Sequence, residues 1–239
     1  MSINGGIIGK MSNGMNENQR NNDVCVLTSG GIESSVLLAD ALTRYDQVVP
    51  VYVKNHLRWE DAELFWLKKF IRNLRSDRLR PLQILDATMR DVYDAHWSIT
   101  GLKMPGAASR DESVYLPGRN IIFFSKTACF AAVHKIVSIE VGVLKSNPFH
   151  DSSKVFLKKM SQVLSIGLAQ EVNIKAPFQH LRKEDVILMG KKLVLDATFS
   201  CINPKNYDHC GDCNKCTERK KAFFAAGVLD KTKYKKIGI

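Results

Sequence analysis

The 239-residue sequence lacks any apolar run approaching the roughly 20 residues that a membrane-spanning helix needs. Its opening stretch, MSINGGIIGKMSNGMNENQRNN, also lacks the long apolar segment of a secretory signal. Both absences favour a cytoplasmic protein without a membrane partner. The same stretch is rich in Asn, Gly and Ser and has no helical or strand period. We therefore predict that residues 1–22 form a disordered tail.

Acidic residues are scarce, with 24 Asp and Glu against 35 Lys and Arg, so the formal net charge is +11. Such an excess attracts phosphate-bearing partners. Residues 217–239 alone carry seven basic and two acidic side chains. This segment lacks the interleaved aromatics on which single-stranded nucleic acids stack. A solvated basic face is therefore favoured, and a nucleic-acid surface is the alternative.

Short runs rich in Val and Ile alternate with longer amphipathic stretches, and no internal repeat is present. A strand followed by a helix, repeated, predicts an α/β fold with a parallel, doubly wound sheet. Ligands of such sheets lie beyond the carboxyl ends of the strands. The predicted strands are 24–28, 48–53, 82–86 and 136–143, and the predicted helices are 33–45, 59–74, 89–96 and 120–134.

The stretch TSGGIESS, residues 28–35, directly follows the first predicted strand. Gly30 and Gly31 allow a phosphate to approach the backbone closely, and the helix predicted to begin near Glu33 adds its positive end. No Gly-Lys-Ser/Thr follows, which excludes the Walker pattern of nucleotide hydrolases. A glycine pair alone also fits an ordinary turn. The candidate nucleotide-binding residues are Ser29, Gly30, Gly31, Glu33, Ser34 and Ser35.

Four cysteines near the C-terminus have spacings of nine, three and three residues. Such Cys-x-x-Cys steps suit a tetrahedral cation, and a cytosolic protein favours metal over disulfide. The prediction is a structural zinc site with a closed thiolate shell, and free or redox cysteines are the alternative. His209 is a weaker candidate ligand, while Cys25 and Cys129 are interpreted as core residues. The predicted zinc ligands are Cys201, Cys210, Cys213 and Cys216.

A third motif, VYLPGRN at 114–120, leads into an apolar helix. Pro117 and Gly118 indicate a turn, so that Arg119 and Asn120 stand at a helix start on the rim that carries the glycine loop. Arg119 there suits an anion clamp, and an ordinary surface charge is the alternative.

Together these motifs resemble the 7-cyano-7-deazaguanine synthase family of PP-loop ATP pyrophosphatases. That family carries SGGxDS, VPGRN and a C-x8-C-x2-C-x2-C loop followed by R-x2-A-F. The corresponding residues here are 29–34, 115–120, 201–216 and 219–223, with APF at 176–178 and Lys183 also in register, so that the resemblance runs from about Val24 to Tyr234.

The resemblance implies an adenine-nucleotide α-hydrolase-like, Rossmann-like fold. A PP-loop ATP-binding domain would span 23–200, and a zinc-binding segment, 201–239, would pack on the same domain. The implied activity is an ATP-dependent carbon–nitrogen ligase of queuosine biosynthesis that adenylates 7-carboxy-7-deazaguanine and uses ammonia to form first the amide and then the nitrile.

The resemblance also implies the remaining assignments. ATP, Mg²⁺ and Zn²⁺ are the expected cofactors, and a homodimer is the expected assembly. Glu33 and Arg119 are the expected catalytic residues, and Asn120 and Asp151 are expected to bind the substrate.

Two departures from the family pattern keep alternatives open. Glu33 replaces the family Asp, which preserves the charge and adds on the order of 1.5 Å of reach. Ser153 stands where the family has an Arg, although Asp151, a natural acceptor for the N–H groups of a guanine-like edge, is retained. The second strand also lacks the family Gly-Gln. The alternatives are a relative that adenylates another small-molecule, nucleic-acid or protein acceptor, and a catalytically silent nucleotide-binding protein.

Overall fold

The computed structural model describes residues 22–235. The predicted tail therefore lies outside the described residues, except for Asn22. One sheet of five parallel strands has the order β3-β2-β1-β4-β5. The strands are β1 (Asp23–Leu27), β2 (Gln47–Lys54), β3 (Gln83–Asp86), β4 (Ser138–Val141) and β5 (Asn173–Lys175).

Helices cover both faces of this sheet because successive side chains of a strand point to opposite sides. Val24 and Val26 of β1 share one core with α1, α7 and α8, whereas Cys25 and Leu27 share the other with α5 and α6. The predicted parallel, doubly wound α/β fold is confirmed. The helices are α1 (Ile32–Arg44), α2 (Glu60–Ile71), α3 (Arg90–Tyr93), α4 (Trp97–Thr100), α5 (Arg119–Val133), α6 (Lys154–Leu168), α7 (Lys183–Met189) and α8 (Asn214–Ala225).

The four predicted strands and four predicted helices all exist, with shifted ends, but β5, α4, α6, α7 and α8 were not predicted. Of the two cysteines interpreted as core residues, Cys25 is fully buried. Cys129 is exposed, so that interpretation was wrong. Phe124, Ala128 and Ala131 of α5 are buried, but position 129 lies on the outward side of the helix.

The order of the strands places a topological switch point at β1, since the chain adds β2 and β3 on one side and β4 and β5 on the other. Loops at the carboxyl ends of β1 and β4 separate there and leave a crevice. The glycine loop follows β1 and therefore opens into this crevice. Among the described residues, no helix is long and apolar enough to cross a membrane.

Candidate functional site

The glycine loop is tightly held at the carboxyl end of β1. Gly30 has φ +77°, a conformation that side-chain-bearing residues rarely adopt, and a Cβ there would lie 3.2 Å from both the carbonyl oxygen of Glu63 and the Cβ of Leu67. The Phe199 N–H donates to the Gly30 carbonyl at 2.6 Å. Gly31 has an ordinary φ of −67° and directly precedes α1. The first turn of that helix therefore directs its N–H groups towards the loop.

Serine hydroxyls accept long hydrogen bonds from backbone N–H groups of the loop. The Ser29 N–H donates to Ser34 Oγ at 3.2 Å, and the Gly31 N–H donates to Ser29 Oγ at 3.4 Å. Bonds of this length are weak, so an incoming anion can replace them. Ser35 is fully buried, and no described group pairs with its Oγ.

A glycine at the end of β4 was not identified from the sequence. A Cβ on Gly142 would lie 3.0 Å from both the carbonyl carbon of Glu33 and the backbone nitrogen of Ser34. The end of β4 therefore packs directly against the start of α1. The sequence gives no local signal for this contact because it joins segments more than a hundred residues apart.

Glu33 forms an ion pair rather than standing free in the crevice. Lys183 Nζ lies 2.8 Å from Glu33 Oε1 and 2.7 Å from Glu218 Oε1, and Lys215 Nζ lies 2.7 Å from Glu218 Oε2. Burial alone would lower the pKa of Lys183, but the two carboxylates raise it. Burial would likewise raise the pKa of Glu218, but the two lysines lower it to about 2. Lys183 and Glu218 are therefore both charged at neutral pH.

Arg119 begins α5, immediately after Gly118, which has φ +79°. Its guanidinium carbon lies 4.8 Å from the centre of the Phe123 ring. The Nε atom is buried, and no described group accepts its hydrogen. A buried donor without a partner is costly, so this position favours an acceptor supplied from outside the chain.

Glu63, on α2, faces the same crevice. The Tyr52 hydroxyl donates to Glu63 Oε2 at 2.8 Å. Burial raises the pKa of Glu63 to about 7, although the positive charge of Arg119 and the Tyr52 hydrogen bond oppose this shift. Nothing in the sequence distinguished Glu63 from the other acidic residues of α2.

Two adjoining cavities occupy the crevice. The loop cavity, of about 270 Å³, is lined by Ser29, Gly31, Glu33, Glu63, Arg119, Lys183, Lys215 and Glu218, among others. The strand-end cavity, of about 190 Å³, is lined by Thr28, Ser29, Glu33, Ser34, Tyr52, Arg119 and Asn120, among others. Ser29, Glu33 and Arg119 border both cavities. Of the predicted nucleotide-binding residues, Gly30 and Ser35 lie behind the cavity walls.

The predicted substrate residues occupy different positions. Asn120 lines the strand-end cavity, and its Nδ2 donates to the backbone oxygen of Asp151 at 3.1 Å. Asp151 is buried beside Asn120 and is not among the residues that line either cavity. Burial raises the pKa of Asp151, and its Oδ1 has no partner among the described groups. Ser153 caps α6, where its Oγ accepts from the Phe156 N–H at 3.2 Å.

The four C-terminal cysteines lie together in a buried cluster, with all four Sγ atoms within 4.8 Å of one another. The Sγ of Cys201 lies 3.5 Å from that of Cys210 and 3.9 Å from that of Cys213. A tetrahedral Zn–S₄ centre with bonds of about 2.3 Å needs sulfur separations of roughly 3.8 Å. Backbone N–H groups of Asn203 and Cys210 donate to the Cys201 sulfur, each at 3.3 Å, which favours a thiolate. The cluster therefore fits a tetrahedral metal ion.

His209 lies beside this cluster without joining it. Its Nε2 accepts a hydrogen bond from the Ser200 N–H at 3.1 Å, and its ring packs on Phe199. Burial lowers the pKa of His209 to about 3, so the ring is neutral.

The cysteine segment also supports the crevice, because the Asn214 side chain donates to the Ser109 carbonyl at 2.8 Å. It thereby fixes the segment that precedes Asp111, which lines the loop cavity.

The sequence matches the family model described as "Queuosine biosynthesis protein QueC" over residues 23–227. The chain belongs to the QueC family. A 7-cyano-7-deazaguanine synthase of Leptospira interrogans is 30% identical over 230 residues, covering 88% of this chain and 90% of the relative. The synthase of that name from Methanocaldococcus jannaschii is 35% identical over 227 residues, covering 86% and 96%.

These QueC-family relatives confirm the predicted family and the prediction of an enzyme. Among solved structures, a 4-thiouridine synthetase–RNA complex with bound ATP matches with a TM-score of 0.45 and 15% identity, over 86% of this chain and 50% of that chain.

Proposed function

We propose that this QueC-family chain is an ATP-dependent ligase that converts 7-carboxy-7-deazaguanine into 7-cyano-7-deazaguanine. The observation that carries the proposal is that the glycine loop, Arg119 and Lys183 meet around one cavity at the switch point of the sheet. The names of its relatives support the product, and the cavity supports the use of a nucleotide.

ATP would place its phosphates on the glycine loop. The N–H groups of Ser29 and Gly31 and the start of α1 would bind the β- and γ-phosphates, which leave as pyrophosphate. Arg119, with its unpartnered Nε, would bind the α-phosphate, where negative charge increases during substitution.

A magnesium ion would neutralise the pyrophosphate, and Glu33 is the carboxylate that would hold it. Magnesium in such sites takes one or two carboxylates together with substrate phosphates, so a single carboxylate fits this role. Lys183 would bind the phosphates once they approach its pair with Glu33.

The reaction would proceed through an acyl adenylate. A carboxylate oxygen of the substrate attacks the α-phosphorus and pyrophosphate leaves. Ammonia then attacks the acyl carbon, AMP leaves, and an amide forms. A second adenylation on the amide oxygen followed by loss of AMP gives the nitrile. This scheme requires no nucleophilic side chain, and no such side chain has been assigned to the cavity.

A different acceptor is the second candidate, and the position of Ser153 favours it. Ser153 caps α6 through its Oγ. A serine at this position has no guanidinium group to bind a substrate carboxylate. The acceptor would then be another small carboxylate or a nucleic-acid or protein group. A deazapurine in the strand-end cavity would contact Asn120 directly. It would contact the buried Asp151 only if it reached past Asn120.

We also propose that the cysteine cluster holds one structural Zn²⁺. We further propose that residues 23–200 form the ATP-binding domain and that 201–239 form a metal-binding segment on the same domain. Packing of Ala222 and Phe223 of α8 into the α1 core supports the second part of this proposal, that the C-terminal segment packs on the same domain. The homodimer and the cytoplasmic location stay predictions.

Pyrophosphate release measured over a panel of acceptors tests the proposal. Release that requires 7-carboxy-7-deazaguanine, followed by ammonium-dependent loss of the carboxylate, is the expected result. Release only with another acceptor would support the second candidate. ATP binding without any turnover would instead identify a silent nucleotide-binding protein.

A further inference from the structure

Glu63 is a carboxylate of the loop cavity that the adenylation scheme does not use. It borders the cavity together with Arg119, and its hydrogen-bond partner Tyr52 borders the strand-end cavity. The Glu63–Tyr52 pair therefore lies in the wall between the two cavities. A nucleotide in one cavity and an acceptor in the other would meet beside this wall.

The other glutamates of the loop cavity are paired with lysine. Glu33 and Glu218 each lie within 2.8 Å of the Lys183 amine. Within residues 22–235, Glu63 has no Lys, Arg or His nitrogen within ion-pair distance. The Tyr52 hydroxyl donates to its Oε2, and the Trp59 side chain also hydrogen-bonds to this carboxylate. Glu63 therefore has no cationic partner among the described residues, and a cation from outside the chain can supply the countercharge.

A small cation fits this position. Trp59 and Trp97 stack with ring centroids 5.7 Å apart and line the same cavity as Glu63. Aromatic faces attract ammonium ions, and a carboxylate beside them adds the countercharge. Ammonia is mainly ammonium at neutral pH and has no lone pair for attack until it loses a proton.

We propose that Glu63 binds the ammonium ion and accepts its proton, which releases ammonia beside the acyl adenylate. This inference rests on the proposed function. The N–H bond breaks and the proton moves to a Glu63 oxygen. The ammonia lone pair then forms the C–N bond, and the bond from the acyl carbon to the phosphate oxygen breaks as AMP leaves. The nitrogen loses its second proton to water or to the departing phosphate, and Glu63 returns its own proton to solvent.

The charged groups around Glu63 determine when it can act. Arg119 of α5 favours the ionised form, and Glu60 of the same helix disfavours it. Tyr52 of β2 donates to it, and Trp59 lies beside it. The more distant charges that line the same cavity are Glu33, Asp111, Lys183, Lys215 and Glu218. With its pKa raised to about 7, Glu63 is near the value at which a general base works best at neutral pH.

The test separates adenylation from amide formation in wild type, Glu63→Gln and Asp61→Asn, the last being an exposed control on the same helix. Glu63→Gln should retain exchange of pyrophosphate into ATP with 7-carboxy-7-deazaguanine. It should lose ammonium-dependent amide formation by on the order of 100-fold at neutral pH. With hydroxylamine, which is already uncharged at neutral pH, the loss should be less than about tenfold, because no proton has to be removed first.

Tyr52→Phe is a second test variant, and it keeps the Glu63 carboxylate. Loss of its hydrogen bond raises the pKa of Glu63, so the rise of the amide-forming rate with pH should move to higher pH instead of disappearing. Equal losses with ammonium and hydroxylamine, a matching loss of pyrophosphate exchange, or an unchanged rate in Glu63→Gln would each overturn the role of Glu63. Absence of exchange in the wild type would reject the proposed function and this inference with it.

Discussion

Glu33 is one methylene longer than the aspartate of the family motif, and its carboxylate lies 2.8 Å from Lys183. The sequence identified the negative charge at this position but not its partner. Lys183 comes 150 positions later, and only the packing of α7 against α1 brings the two side chains together. The charge of Glu33 is therefore balanced within the chain before any ligand binds.

Removing that charge should slow adenylation. Glu33→Gln should reduce the rate of pyrophosphate release at least about tenfold, or ~1.4 kcal/mol in the barrier, because the proposed magnesium ion loses one oxygen ligand and its countercharge. Glu33→Asp should keep most activity, since a water molecule can bridge the shorter arm. Release rates across a magnesium titration check both variants. Equal rates for wild type and Gln, with unchanged magnesium dependence, would contradict the metal role.

Glu63 also makes stability depend on pH. Its pKa is raised from 4.5 to about 7 by burial, so the folded protein favours the protonated form. That contribution is complete below about pH 4.5, falls as the pH rises and is lost above about pH 7. The melting temperature of Glu63→Gln minus that of wild type should therefore increase from pH 5 to pH 7 and stay constant above pH 7. A difference that does not change with pH would contradict the raised pKa.

The individual elements differ in how much their local sequence reveals. Strands β1 and β2 are apolar enough to be recognised, whereas β5 has only three residues and no pattern of its own. The cysteine spacing predicts the metal cluster because the ligands are close in sequence. Gly142 was missed because its contact with the start of α1 exists only after β4 pairs with β1.

The two glycines of the loop should respond differently to alanine. Gly31 has an allowed φ, and a Cβ there would lie 3.4 Å from Ser29 Oγ, an ordinary contact. Gly31→Ala should therefore fold normally and bind ATP more weakly, because the methyl group occupies the path of a phosphate. Gly30→Ala, with φ +77°, should lose about 1–2 kcal/mol of folding stability. Calorimetric titration with ATP and thermal melting check both variants. Unchanged ATP affinity in Gly31→Ala would show that the loop is only a turn.

The cysteine cluster should be required for folding. The purified protein should contain one zinc per chain, and Cys213→Ser should lower the melting temperature and the yield of soluble protein, because the metal stabilises only the folded state. Cys129→Ser is the matched control, since this cysteine is exposed and lies outside the cluster. Elemental analysis and thermal melting give the answer. Soluble, folded wild type that contains no metal would rule out the zinc site.

At the scale of the whole molecule, the sheet order determines which parts of the chain meet. The family motifs named Arg119 and the glycine loop, and their order in the sequence was enough to place both on one rim. The wall opposite them could not be predicted, because Lys215 and Glu218 reach the loop cavity only through the packing of α8 against the α1 side of the sheet. Long-range packing of this kind leaves no periodic signal in the sequence.

Because Lys215 and Glu218 lie near the C-terminal end of the sequence, the cavity is completed late during synthesis. The glycine loop emerges from the ribosome first, and Glu218 follows nearly 190 residues later. At about 5–20 residues per second, the interval is roughly 10 to 40 seconds. Early in this interval, the end of β4 and Lys183 have not yet been synthesised, so neither can lie beside Glu33. A nascent or prematurely terminated chain therefore lacks the complete cavity.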